Sequence, residues 1–135
     1  EVPDDVPEAP DELSIGIHAD TEVTLADAGH TVTQAYCSAL PLGYSSVDTH
    51  DMEPLARMVL NSTYEATLAA GVTNAARSGN NTVWLTLVGG VVFHNPITWI
   101  VDAIERACNL YADVGLDIAI VSFGGSNPAL RRLLG

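Results

Sequence analysis

From Ser14 onward, apolar and polar positions follow two alternating rhythms, and the switches between them predict the elements. SIGIHADTEVTL, Ser14 to Leu25, places apolar residues at Ile15, Ile17, Val23 and Leu25 with an interruption from His18 to Thr21, which predicts one or two short strands. Asp27, Ala28 and Gly29 read as a turn. HTVTQAYCSALPLGY then predicts a second, interior strand that Pro41 ends. Ser45 to Asp51 is a polar loop. A long helix is expected from Met52 or Glu53 to about Arg77, with Pro54 tolerated in its first turn. One stripe of this helix carries Leu55, Val59, Ala66 and Ala69; another carries Leu60, Tyr64, Leu68, Val72 and Ala75, so it is expected to be sandwiched, with Gly71 a soft point.

Ser78 to Asn81 close that helix, and Thr82 to Val88 predicts a strand buried on both faces. Asn95 as N-cap and Pro96 as first helical residue open a second helix reaching about Asp113. Gly115 ends it, and Leu116 to Phe123 predicts another buried strand. Helix, strand, helix, strand in that order requires a right-handed crossover and a parallel pair, hence a layered α/β sheet. Ligands of such sheets sit beyond the carboxyl ends of the strands, where this chain has Gly89-Gly90 and Gly124-Gly125. A helix start also presents unpaired N–H groups and partial positive charge, which suits an anion. The bland reading of the glycine pair is a sharp turn and nothing more.

The chain has 135 residues, enough for one domain with a core of its own. EVPDDVPEAPDEL, with three prolines and six carboxylates, reads as an extended lead-in over residues 1–12, and the domain is expected to run from 13 to 135. Acidic residues number 17 against 5 arginines, with no lysine, for a net charge of -12. Nucleic acid is therefore not an expected partner. No apolar stretch is long enough to span a bilayer and no secretory leader is evident, so a soluble, cytoplasmic protein is expected, without a membrane partner. Cys37 and Cys108 lack metal-ligand spacing, and His18, His30, His50 and His94 are scattered, so neither a metal nor another cofactor is expected. NST at Asn61 and NNT at Asn80 fit glycosylation spacing by chance.

LTLVGGVVFHNPITWIVDAIERA resembles the strand, glycine-rich loop and helix of macro domains, particularly divergent members near the microbial poly(ADP-ribose) glycohydrolases, whose loop commonly reads GGGxFGN. VTQAYCSALPLGYS and MVLNSTYEATLAA resemble neighbouring segments of the same group. The resemblance covers about Ser14 to Phe123 and implies a three-layer α/β/α fold with a mixed sheet, of which the chain is either the whole or the C-terminal part. It implies ADP-ribose, or ADP-ribosylated protein, as partner, and an ADP-ribosyl hydrolase activity. Gly89 and Gly90 would then give backbone donors to the diphosphate, with Val91, Val92 and His94 completing the loop. Phe93 would pack on the ribose, Asn95 would cap the helix, and Phe123 would lie against the nucleoside. Val91 replaces the family's third glycine and His94 the glycine after Phe, and the family's asparagine-rich motif is not visible.

Hydrolysis through an oxocarbenium-like state calls for a carboxyl group as acid or as water-orienting base. The candidates are Asp20 and Glu22 beside His18, and Glu65 within the apolar helix; a solvated turn and a surface helix position are the plain alternatives. Asp48 and Asp51 read as helix-entry charges, and Ser38 and Tyr44 as residues lining a cleft or merely ending a strand. No GxSxG elbow or nucleotide-triphosphatase loop is present. A hydrolase, a non-catalytic ADP-ribose reader and a ligand-free interaction domain are the three readings the sequence leaves.

Overall fold

The computed structural model describes residues 13–134 and shows a mixed α/β protein. The element order is β1 (Gly16–Glu22), β2 (Thr31–Tyr36), α1 (Thr49–Ser78), β3 (Thr82–Thr86), α2 (Ile97–Leu110) and β4 (Asp117–Val121), with short 3-10 turns between and after them. The expected lead-in over residues 1–12 lies outside the described residues.

The strands form two separate pairs. β1 and β2 are an antiparallel hairpin whose register shifts between His18 and Thr21, where Asp20 adopts φ 56°. The interruption read from the sequence is thus a bulge within one strand. β2 is not interior, as its pattern suggested: five of its six residues are exposed, since among the described residues its one strand partner is β1. It also stops at Tyr36, well before Pro41.

β3 and β4 are the expected parallel pair, in register from Thr82 opposite Asp117 to Thr86 opposite Val121. Burial on both faces is corrected. Val83, Leu85, Ile118 and Ile120 face the helices, whereas Trp84 is 69% exposed on the other side. Alternation, the ordinary strand period, is what decides this.

α1 begins at Thr49, where Asp48 caps by accepting from the His50 amide at 2.8 Å. It therefore enters three residues before the expected Met52, and Pro54 falls in its second turn. Its Leu60, Tyr64 and Leu68 stripe is fully buried, but Leu55 and Ala69 are exposed, so one predicted stripe makes the core and the other does not. Gly71 is a contact point rather than a weakness, since a Cβ there would stand 2.7 Å from Val83 Cγ2. Its bare backbone lets β3 lie close against the helix.

α2 is amphipathic, with Ile100, Ala103, Ile104 and Ala107 at helical spacing packed against α1. It ends at Leu110, and the residues expected to continue it form a 3-10 turn. Arg57 of α1, nearly buried, reaches Glu53 at 2.7 Å and Asp102 of α2 at 2.8 Å, and its guanidinium lies 5.2 Å from the Trp99 ring centroid. Arg132 bonds the same Asp102 from the C-terminal turn. Burial alone would raise the Asp102 pKa, but the two guanidiniums more than offset it and hold the carboxyl below its ordinary range. This ionic clasp fixes α2, and with it the loop that α2 follows.

Candidate functional site

The loop from Leu87 to Pro96 leaves the carboxyl end of β3 and runs directly into α2. Its base is fixed by Tyr64, a residue the sequence suggested only as part of an apolar stripe. The Tyr64 hydroxyl donates to Thr86 O at 2.7 Å and accepts from the Val88 amide at 3.0 Å. Burial pushes its pKa up, with the Val88 hydrogen bond opposing, so the phenol stays protonated. A tyrosine on an otherwise aliphatic stripe was the available signal, because a buried phenol must find a partner.

Gly89 has φ 79°, and a Cβ on it would lie 2.4 Å from Ala39 Cβ. Only glycine satisfies both the left-handed backbone and that close approach. Asn95 is 5% exposed and donates from Nδ2 to Leu40 O at 2.8 Å and Gly89 O at 3.0 Å. It does not cap α2. Pro96, with φ -55° and ψ 135°, takes the N-cap position without a side-chain bond, so the helix starts one residue later than expected. Asn95 instead turns inward, adding a second donor to two carbonyls that already accept a backbone N–H, and so ties the loop to the segment at Leu40.

The loop's own amides divide into two groups. Those of Val88, Gly90, His94 and Asn95 donate to Thr86 O, Leu87 O, Gly90 O and Gly89 O respectively. Those of Gly89, Val91, Val92 and Phe93 have no acceptor among the described residues, nor do those of Ile97 and Thr98 in the first turn of α2. Val91 and Val92, 93% and 61% exposed, form the tip. Internal bonds thus shape the loop, while part of its donor set has no acceptor among the described residues.

The turn at Leu42 to Tyr44 lies against this loop. Gly43 donates its amide to Phe93 O at 3.0 Å, and the Tyr44 and Phe93 rings meet edge to face with centroids 6.3 Å apart. Phe93 is thereby half-buried by the protein itself. Ser38 lies just before Ala39, its hydroxyl donating to Ala39 O and its own carbonyl accepting from Thr63. Tyr44, Gly89, Gly90, Phe93, His94 and Asn95 are therefore gathered in one region, with Ser38 adjoining. Phe123, at the end of β4, is fully exposed; parallel pairing places it at the same sheet edge as the loop.

The three carboxylates are dispersed. Asp20, on the β1 bulge, forms a two-pronged pair with Arg77 at 2.8 and 3.1 Å, whose hydrogen bonds hold its pKa down. Glu22 is exposed at the end of β1. Glu65 faces α2 and accepts from Arg106 Nε at 2.6 Å. Between Glu65 and Arg77, α1 rises about 18 Å, so Asp20 and Glu65 serve different places. Each of these two is already committed to an arginine.

A cleft of about 620 Å³ opens between β2 and β3 above α1 and reaches Tyr64, Thr86 and Val88 at the base of the loop; Asp20 is the one predicted site residue lining it. Among the described residues, no group of three or more His, Cys, Asp or Glu is placed to hold a metal, and no helix is long and apolar enough to cross a membrane. Cys37 and Cys108 are free thiols, half-buried. Compared with known proteins, the chain matches no family model, no curated protein and no solved structure.

Proposed function

We propose that this chain is a macro-type ADP-ribose-binding module that holds its ligand without hydrolysing it. The observation carrying this reading is the arc of chain from Gly89 to the first turn of α2, in which the amides of Gly89, Val91, Val92, Phe93, Ile97 and Thr98 have no acceptor among the described residues. A diphosphate laid along that arc gains main-chain hydrogen bonds and the favourable end of a helix dipole together. The loop's place at the carboxyl edge of a parallel pair agrees with where α/β sheets bind ligands. Its sequence supplies the resemblance to macro domains. In this reading β3, β4 and the helix pair belong to a layered α/β/α domain, and Tyr44 and Phe123 flank the loop as surfaces for the ribose and the nucleoside.

Binding is favoured over turnover because neither arginine-paired carboxylate is free to act as acid or base at the loop. Asp20 is engaged by Arg77 and Glu65 by Arg106. The acidic surface opposes an anion at long range, but screening over about 8 Å leaves the short-range donors decisive. Thermal unfolding with and without ADP-ribose tests the proposal. Ligand at about 100 times its Kd adds roughly 2.7 kcal/mol, which for a chain of this size raises Tm by roughly 8–10 °C. Adenosine, lacking the diphosphate, is expected to give no comparable shift. Equal shifts with both, or none with either, would remove the diphosphate from the account.

A further inference from the structure

The cleft between β2 and β3 is bordered by strand edges rather than by a sheet face. Every residue from Thr31 to Cys37 and every residue from Thr82 to Thr86 lines it, while none from β4 does. A sheet face would present alternate residues from both members of a pair. Among the described residues β2 pairs with β1 and β3 with β4, so each turns an edge without a strand partner there toward the cleft.

The contacts with α1 fix the directions of these edges. Along β2, Thr33 bonds Asn74 and Cys37 meets Thr67; along β3, Val83 touches Gly71 and Thr86 is held by Tyr64. In both strands rising numbers descend α1, so β2 and β3 run the same way. The two contact stripes lie three residues apart along α1, about 60° around the helix, which separates the strands by roughly 10 Å, against about 4.8 Å for paired neighbours. One strand placed between them would meet equivalent edges on its two sides.

We propose that this cleft is a docking site for an extended peptide strand of a partner protein, joining the hairpin and the parallel pair into one sheet. The chemistry of the occupant follows from the walls. Open main-chain edges recognise another main chain. The floor is small and mostly uncharged, with Thr67, Ala70, Gly71 and Asn74, so small or β-branched side chains face inward. Val32, Tyr36 and Trp84 are exposed apolar side chains beside it. The net charge of -12 favours basic residues flanking the strand. The chain's own first residues are a poor occupant, because Pro3, Pro7 and Pro10 each remove a ladder donor.

The test uses the peptide Lys-Lys-Thr-Val-Thr-Val-Thr-Val-Thr-Lys-Lys, a second peptide with proline in place of each valine, and amide hydrogen exchange on the intact chain. The first peptide is expected to slow exchange at least tenfold in both 31–36 and 82–86, and the proline peptide to leave both unchanged. Ala70→Trp, which fills the floor, is expected to abolish protection while the melting temperature is retained; if that variant misfolds, the two-peptide comparison decides alone. Protection of only one strand, equal protection by both peptides, or none overturns the proposal. So does protection of both strands that rises with protein concentration without peptide, which would assign the cleft to a second copy.

Discussion

Replacing Tyr64 by Phe removes one oxygen atom and tests how the base of the glycine loop is held. The ring is 1% exposed and Phe fills the same space, so no cavity term enters. What disappears is a donor to Thr86 O and an acceptor for the Val88 amide. Because Val88 also donates to Thr86 O at 3.0 Å, neither backbone group is left wholly unpaired. The loss is therefore nearer two net hydrogen bonds than two buried orphans, about 1.5 kcal/mol, or roughly 5 °C in Tm. The pH dependence gives a second reading. The folded-state pKa of Tyr64 is raised, so its contribution is complete below the unfolded value near 10 and is lost as pH rises toward the folded value. Above about pH 10 the wild type should lose about 1.4 kcal/mol per pH unit relative to Tyr64→Phe, and the two should converge near pH 11. Urea unfolding of both proteins from pH 7 to 11 measures this. Equal stability at pH 7, or parallel curves to pH 11, would refute the role given to the hydroxyl.

Three further outcomes follow from the same geometry. Asp102→Asn leaves the nearly buried Arg57 with Glu53 alone and should cost about 2–3 kcal/mol at pH 7; since the Asp102 pKa is lowered on folding, its contribution is lost as pH falls through that lowered value, and urea midpoints of wild type and variant should approach one another below about pH 3.9. Gly89→Ala combines positive φ with a Cβ 2.4 Å from Ala39 and should lose about 2–4 kcal/mol in chemical denaturation, whereas Gly90→Ala, with its nearest contact at 3.4 Å, should stay within about 1 kcal/mol. Glu65→Gln and Asp20→Asn should leave ADP-ribose affinity within about twofold by calorimetry, since both carboxylates are engaged away from the loop; a tenfold loss in either would return that residue to the site.

The parallel pair, the long first helix and the position of the glycine loop were legible because each rests on a local signal: an apolar run, an uninterrupted helical stretch, a glycine pair before a helix. Trp84 shows where the local signal misleads. VWLTLV looks continuous in hydropathy, yet the strand period sends Val83 and Leu85 inward and Trp84 outward. β2 misled for the converse reason, since its residues suit a strand but nothing in them states whether a second layer covers it. Asn95 has the residue type of a cap, and only the extended ψ of Pro96 and the distant Leu40 carbonyl turn it inward. Likewise the arginines that engage Asp20 and Glu65 come from 57 and 41 positions away, a separation no local pattern encodes.

The most direct measurement is an amide NMR titration with ADP-ribose, read residue by residue. The largest shifts are expected at Gly89, Val91, Val92, Phe93, Ile97 and Thr98, the amides with no acceptor among the described residues, and small ones at Val88, Gly90, His94 and Asn95, which are already bonded. Shifts centred elsewhere, or an unchanged spectrum at millimolar nucleotide, would contradict it.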